Sequence, residues 1–424
     1  MTAIAVFFVE KIMSGKVKWF TSSNINAPTL DNNWGALVNV LSKCLIDGYG
    51  AQTLLNIVIE NGVAIASFGT AHKLEMFQCV EISGSSNSVL NDEFRILGAT
   101  STTIEFLIDL PDQTITETLS CRLAPLGWSM PFSDTGRAVF QAKDTSKNPY
   151  YLRVDNTCDP LHTPTQAKFA KVGILESCTG IGDIGGNQAP FDPTAPTKNW
   201  IGEGSYIGWA KWPYATADTG GAYYALSENA VNGVRSWILV GDDENFYIMP
   251  SVAIETSKNQ YKDYSLCHAF GIFDGLDCPY IAAWHEYNTI GSSSYGGNSA
   301  FTGSSAGFLI LLKNKNGTYV QGNYSNSNDT RLQYGIDKSG FSGYADLYNY
   351  DAAQGPMHCA FLARDVLNNY LGEVPLARVS LNYFAPGVLP NITVFSDGNR
   401  AYLRKKLMGS SIRAGSIIFD LGEI

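Results

Sequence analysis

The stretch Leu54-Leu55-Asn56-Ile57-Val58-Ile59-Glu60-Asn61-Gly62-Val63-Ala64-Ile65-Ala66-Ser67-Phe68 decides the fold class. Leu55, Ile57 and Ile59 fall at two-residue spacing, Asn61-Gly62 is a pair that tolerates positive φ, and Ala64 to Phe68 leads back, which reads as a β-hairpin. The same grammar continues outward. Cys79 to Ile82, Glu93 to Leu97, Thr103 to Ile108 and Thr114 to Leu119 are strand-length runs separated by Gly, Ser, Asn and Pro. Past Pro125 further strand candidates are Ala138 to Gln141, Tyr150 to Val154, Ser236 to Val240, Phe246 to Met249, Phe308 to Leu312, Val374 to Val379 and Ile417 to Leu421.

Composition supports that reading. Only 16% of the 424 residues are charged, against roughly 25% in an ordinary soluble domain, while Gly (41), Tyr (22) and Phe (21) are plentiful. Such a chain lacks the Lys, Glu and Arg needed to cover long solvated helix faces. A net charge of −10 leaves no electrostatic footprint for nucleic acid. No stretch approaches the roughly 18 apolar residues of a transmembrane helix. The apolar run Ala3 to Val9 lacks a basic segment before it and is followed by Glu10, so no signal peptide is read. The eight scattered cysteines, without CxxC, then read as buried or half-buried thiols of a protein folded in a reducing cytoplasm.

Two helices interrupt the strands. Between Asn33 and Ile46, Trp34, Leu37, Val38, Leu41, Cys44 and Leu45 recur at three- and four-residue steps, with Asp31 or Asn32 able to cap and Gly48 to terminate. A second, brief one is predicted over Ala363 to Tyr370. Ahead of the first, Ile4, Val6, Phe8, Val17 and Trp19 suit an extended arm able to add to a neighbour's sheet. The predicted fold is therefore mainly β, with β-sandwich or barrel modules, a short N-terminal helix and an extended N-terminal arm. Its segments are arm and helix (1–51), a small β-domain (52–124) and a large β-rich C-terminal domain with long loops (125–424).

The motifs that could carry chemistry are weak in context. Gly303-Ser304-Ser305-Ala306-Gly307 fits the nucleophile elbow G-x-S-x-G, but a strand run follows where a helix is required. Gly180-Ile181-Gly182-Asp183-Ile184-Gly185 fits G-x-G-x-x-G without a helix start after it or a βαβ unit around it. Asp242-Asp243-Glu244 reads more cheaply as a hairpin turn than as a cation site. His285-Glu286 lacks H-E-x-x-H spacing, and His72, His162, His268 and His358 share no metal-ligand pattern. No catalytic residue, cofactor or metal is expected. Trp200, Tyr206, Trp209, Trp212, Tyr214, Tyr223 and Tyr224 crowd a Gly-rich segment. Sugar rings stack on exposed aromatics, and aromatics also fill cores and subunit interfaces; both readings stay open.

The order of segments adds a resemblance. Lys18-Trp19-Phe20, Asn26-Ala27-Pro28-Thr29-Leu30, Trp34-Gly35-Ala36-Leu37-Val38-Asn39-Val40-Leu41 and Gly48-Tyr49-Gly50 resemble the N-terminus of tailed-bacteriophage virion structural proteins, found among tail, baseplate and fibre-associated components. Matching patches follow at Val80-Glu81-Ile82-Ser83-Gly84, Gly127-Trp128, Pro131-Phe132-Ser133, Tyr151-Leu152-Arg153-Val154-Asp155, Trp237-Ile238-Leu239-Val240-Gly241-Asp242 and Gly372-Glu373-Val374-Pro375. What the resemblance implies is a non-enzymatic, multicopy subunit of the virion, assembled in the host cytoplasm through contacts with copies of itself and other virion proteins. Val17, Trp19, Phe20, Trp34, Leu37 and Leu41 are the candidate anchoring residues. A head decoration or head-tail connector protein is one alternative. A receptor-binding protein that recognises a host surface glycan through Trp200, Trp209, Trp212, Tyr214, Tyr223 and Tyr224 is another.

Overall fold

The computed structural model describes residues 17–158, 163–183, 185–189, 210–217, 223–224, 228–251, 253–258, 262–285, 295–296, 308–314, 316–323, 332–334, 358–364, 370–380, 390–407 and 416–424. The chain is mostly β, in several sheets that include a half-barrel, with one short helix near the N-terminus.

The hairpin forms where expected. Tyr49–Glu60 pairs antiparallel with Val63–Phe68, and Asn61 and Gly62 take φ of 53° and 78°, the two left-handed positions of a tight two-residue turn. Ile57 and Ile59 are buried, but Leu55 is 60% exposed. A register shift between Leu54 and Asn56 swaps the faces there and buries Leu54 instead. The eight-stranded sheet built on this hairpin runs in the order Glu93–Arg95, Cys79–Ser83, Leu119–Leu123, Tyr49–Glu60, Val63–Phe68, Thr103–Leu107, Gly98–Ala99, with Gln113–Ile115 beside Tyr49–Glu60. The run expected from Thr114 to Leu119 is thus the end of one strand and the start of another. The sheet rolls back on itself: Phe94 and Phe106, from strands not paired with each other, bring their rings to 4.5 Å.

Residues 125–424, expected as one domain, supply most of two sheets. The larger has twelve strands, ordered Lys18–Thr21, Trp237–Gly241, Phe246–Pro250, His268–Ile272, Pro279–His285, Ala210–Ala215, Lys168–Leu175, Tyr151–Asp155, Arg137–Gln141, Ser129–Asp134, with Phe308–Lys313 and Tyr319–Asn323 branching from Pro279–His285. The other has six: Leu332–Tyr334, His358–Arg364, Tyr370–Ser380, Ser416–Glu423, Arg400–Lys406, Ile392–Asp397. The helix expected over Ala363 to Tyr370 is not formed at its ends, which lie in two strands that pair with each other. Residues 365–369 lie outside the described set.

The twelve-stranded sheet is the middle layer. Trp237, Leu239, Phe246, Ile248, Ile281 and Ala283 enter a core shared with the N-terminal helix and the eight-stranded sheet. Their alternates Ile238, Val240, Tyr247, Met249, Tyr280 and Ala282 enter a second core shared with the six-stranded sheet. Two-sided burial explains why these strands read as continuous apolar runs.

The N-terminal helix is an α-helix over Ala36–Ser42 continued by a π-turn over Lys43–Asp47. Gly48 stops it as expected: its φ is +67°, and a Cβ there would meet the Leu123 carbonyl oxygen at 2.4 Å. The N-terminus departs from expectation. Neither Asp31 nor Asn32 caps it; Asn156, 119 residues away, accepts from Leu37 N at 3.1 Å and its carbonyl accepts from Gly35 N at 3.0 Å.

Candidate functional site

Among the described residues the strand Lys18–Thr21 is densely bonded. It pairs antiparallel with Trp237–Gly241 of the same chain, and its residues reach both cores and the eight-stranded sheet. Trp19 is wholly buried in the core facing the six-stranded sheet, and Phe20 is wholly buried in the other core with its ring 5.9 Å from that of Tyr49. Lys18 reaches the eight-stranded sheet, with Nζ 2.6 Å from a Glu93 carboxylate oxygen and donating to the Pro125 carbonyl. Thr21 N donates to Asn24 Oδ1 at 3.0 Å.

Behind Asn24 lies Gln78, fully buried. Gln78 Nε2 donates to the Trp19 carbonyl (3.3 Å) and Asn24 Oδ1 (3.0 Å), while its Oε1 accepts from Asn24 Nδ2 (3.0 Å) and Glu75 N (2.9 Å). Arg95 then ties the ends of the described chain together, donating to the carbonyls of Leu421 (2.7 Å) and Val17 (3.4 Å). One four-residue strand thereby contacts all three large sheets.

The residues expected to anchor the chain in a neighbour are used within the chain itself. Val17, Trp19, Phe20, Leu37 and Leu41 are buried. Trp34 is half-buried, with the Lys168 ammonium 5.3 Å over its ring and the Phe169 ring edge-on at 5.7 Å. The rest of the predicted arm, residues 1–16, lies outside the described residues.

A second constellation gathers titratable groups that no motif signalled. Lys313 Nζ lies 2.9 Å from Glu176 Oε1, 3.1 Å from Asp277 Oδ2 and 2.9 Å from the Tyr150 hydroxyl. Tyr150 in turn donates to Asp277, and Tyr319 donates to Glu176 Oε1 at 3.3 Å. Burial pushes the Tyr150 hydroxyl up to about 12, helped by its bond to Asp277. Burial would also raise Glu176, but bonds from Asn187, Lys313 and Tyr319 outweigh it and hold the carboxyl below its ordinary value. The Tyr150 bond, followed by Lys313, likewise holds Asp277 low. Acid-base chemistry with paired carboxyls needs one that keeps its proton near neutrality. Here both are ionised and bridged by an ammonium, so the cluster is an ion network. It ties the Phe308–Lys313 strand to the segments holding Tyr150, Glu176 and Asp277.

The aromatic segment divides. Trp212 is fully buried, donates from Nε1 to the Ala282 carbonyl at 2.9 Å and lies flat on His268 with ring centroids 5.8 Å apart. Tyr214 is 1% exposed, donates to the Asn33 carbonyl at 2.7 Å and accepts from Asn156 Nδ2 at 3.0 Å. These two rings are core side chains, one of the two readings left open for the segment: a saccharide cannot stack on a face already covered by protein. Tyr223–Tyr224 is a short strand paired with Tyr295–Gly296. Trp200, Tyr206 and Trp209 lie outside the described residues.

The remaining motifs resolve into structural bonds where they are described. Asp242 turns the hairpin by accepting from Glu244 N (2.9 Å) and Asn245 N (2.7 Å), and Lys147 bridges Asp243 and Glu244. Burial pushes the Asp242 carboxyl up to about 7 against those two bonds, with Asp243 and Glu244 adding to the rise. Asp183 closes its loop by accepting from Thr179 N, Thr179 Oγ1 and Gly185 N, and Ala189 then bridges Ile174 in place of a helix start. His72 accepts from Leu74 N at Nδ1 and lies 3.2 Å from the Thr103 carbonyl at Nε2. The fully buried His268 donates from Nε2 to the Pro213 carbonyl at 2.9 Å, and burial pushes its pKa down to about 4. His162, Glu286 and the Gly303-Gly307 motif lie outside the described residues.

Among the described residues Cys44, Cys79, Cys121, Cys267 and Cys278 are buried, and Cys158 and Cys178 are half-buried. Among the described residues no group of three His, Cys, Asp or Glu side chains could hold a metal, and no helix is long and apolar enough to cross a membrane. No protein-family model matches the chain, and a search of curated proteins gives no match.

Proposed function

We propose that this chain is a non-enzymatic structural subunit of a tailed-phage virion, in the tail, baseplate or fibre-attachment region, that works through contacts with its neighbours. The observation that carries the reading is the Lys18–Thr21 junction, where one strand contacts all three large sheets. A subunit that bears load between neighbours gains from sheets that cannot move independently. The order of sequence segments that resembles such proteins supports the same reading. So does the Lys313 network, whose charged groups are consumed in internal bonds.

An exposed surface fits that role. Leu55, Ile65 and Leu107 are exposed on three adjacent strands of the eight-stranded sheet, with Glu60 and Glu105 exposed beside them. In the proposed role these side chains face a neighbouring subunit. Placement of the chain among neighbours is tested by light scattering on the full chain and on a form lacking residues 1–16. Residues 17–50 must stay, since they hold the junction. An oligomer that falls to monomer on truncation supports assembly through the arm. A monomer in both forms that also fails to enter particles when supplied in an infected host refutes the structural role.

A further inference from the structure

Several ammonium groups in this protein face carboxylates. Lys18 meets Glu93, Lys171 meets Asp155, and Lys313 meets Glu176 and Asp277. Lys405 does not. It is 2% exposed, and its Nζ donates to the Asp263 carbonyl at 2.8 Å and to Oδ1 of the Asn391 side-chain amide. Both acceptors are neutral.

The backbone fixes this meeting. Arg400–Lys406 and Ile392–Asp397 are hairpin strands in which Ile392 faces Lys405. Lys406 N donates to the Asn391 carbonyl at 3.2 Å, which extends the pairing one residue further. The Lys405 side chain is held on the carboxamide of Asn391, the residue before its cross-strand partner Ile392, at the open end of the hairpin and out of contact with bulk water. An amine attacks an amide slowly in solution because it is protonated and seldom in position; confinement at contact distance removes the second obstacle. Burial addresses the first. It pushes the Lys405 ammonium down to about 7, with Asp263 opposing and Lys406 adding to the fall, so near neutrality a large share of the amine carries a free lone pair.

We propose that Lys405 and Asn391 form an intramolecular isopeptide bond. The Nζ lone pair attacks Asn391 Cγ, the new Nζ–Cγ bond forms, and the Cγ–Nδ2 bond breaks. One proton passes from Nζ to the departing nitrogen, which leaves as ammonia. No oxidant, metal or co-substrate enters the balance. The product is a covalent staple across the mouth of the hairpin, and it secures Ile392–Asp397, the strand at the end of the six-stranded sheet.

The test is the intact mass of the purified full chain, followed by a tryptic map, both repeated after prolonged incubation at about pH 8. The expected mass is lower than the sequence by about 17 Da, one ammonia, with a branched peptide that joins Asn391 to Lys405 and no cleavage after Lys405. An unchanged mass after incubation overturns the proposal. A ring-closed asparagine loses the same mass but leaves the Lys405 amine free and cleavable, and that outcome overturns it too. Asn391→Ala should abolish the loss; its persistence in that variant would place the lost ammonia elsewhere and refute the bond.

Discussion

Replacing Asp242 by Asn should stabilise the protein above neutrality and do nothing in acid. The carboxyl sits at a hairpin turn, where it accepts from Glu244 N and Asn245 N with Asp243 and Glu244 beside it. Its pKa in the folded chain is about 7, against 3.8 for the free side chain. The folded state therefore holds the proton more tightly than the unfolded state. Between those two values the native chain binds more protons, so stability falls as pH rises through the window. Three units correspond to about 4 kcal/mol at most. The residue is half-buried, and solvent screening reduces the figure to about 2 kcal/mol. Asparagine presents the same Oδ1 to both N–H groups without the charge. For a chain this long 2 kcal/mol is about 2 °C in melting temperature. The difference between Asp242→Asn and wild type, followed by differential scanning fluorimetry, should be near zero at about pH 3.5 and reach its full positive value by about pH 8. A difference that is flat across the range, or negative at the alkaline end, refutes the assignment of a costly buried charge to this turn.

Further outcomes follow from the junction, the ion network, the core and the surface. Gln78→Leu strips partners from the Trp19 carbonyl, Asn24 and Glu75 N, and should cost about 3 kcal/mol in urea unfolding; a loss below about 1 kcal/mol would mean the strand is held by apolar contacts alone. Lys313→Met should let the Glu176 carboxyl rise toward its ordinary value, seen by carbon-detected NMR titration, and no movement would show that the ammonium does not govern it. Trp212→Ala should lose about 3–5 kcal/mol, whereas a ring serving sugars would leave stability almost untouched. Ile65→Lys should change monomer stability by less than about 0.5 kcal/mol yet weaken whatever association the full chain shows, and unchanged association would remove that surface from the assembly.

How far the sequence carried the fold depended on the range of the interaction. The Asn61-Gly62 turn is encoded by two adjacent residues and was legible, as was Gly48, whose position admits no side chain. Leu55 misled because the bulge beside it shifts register by one residue, a local event that leaves no compositional mark. The helix cap was illegible because Asn156 comes from another part of the chain. Strand-length apolar runs around Trp237 and Phe246 announced strands, but nothing in them says that their alternate side chains serve different cores. The Lys313 network draws Tyr150, Glu176, Asp277 and Tyr319 from separate segments, none with a motif. The aromatic segment stayed open for another reason: a Trp that stacks on sugar and one that stacks on His268 have the same letter.

The Lys18–Thr21 strand leaves the ribosome about 220 residues ahead of its hydrogen-bonding partner Trp237–Gly241. At roughly 5–20 residues per second, Trp19 and Phe20 wait some 10 to 40 seconds without the strand that will cover them. Leu421, which closes the junction through Arg95, emerges later still. The order of translation thus opposes the order of closure, and the nascent chain carries an uncovered apolar strand until its partners emerge. Cellular yield should accordingly respond to chaperone supply and slower growth more strongly than to substitutions in the hairpin-built eight-stranded sheet, whose partners emerge close together.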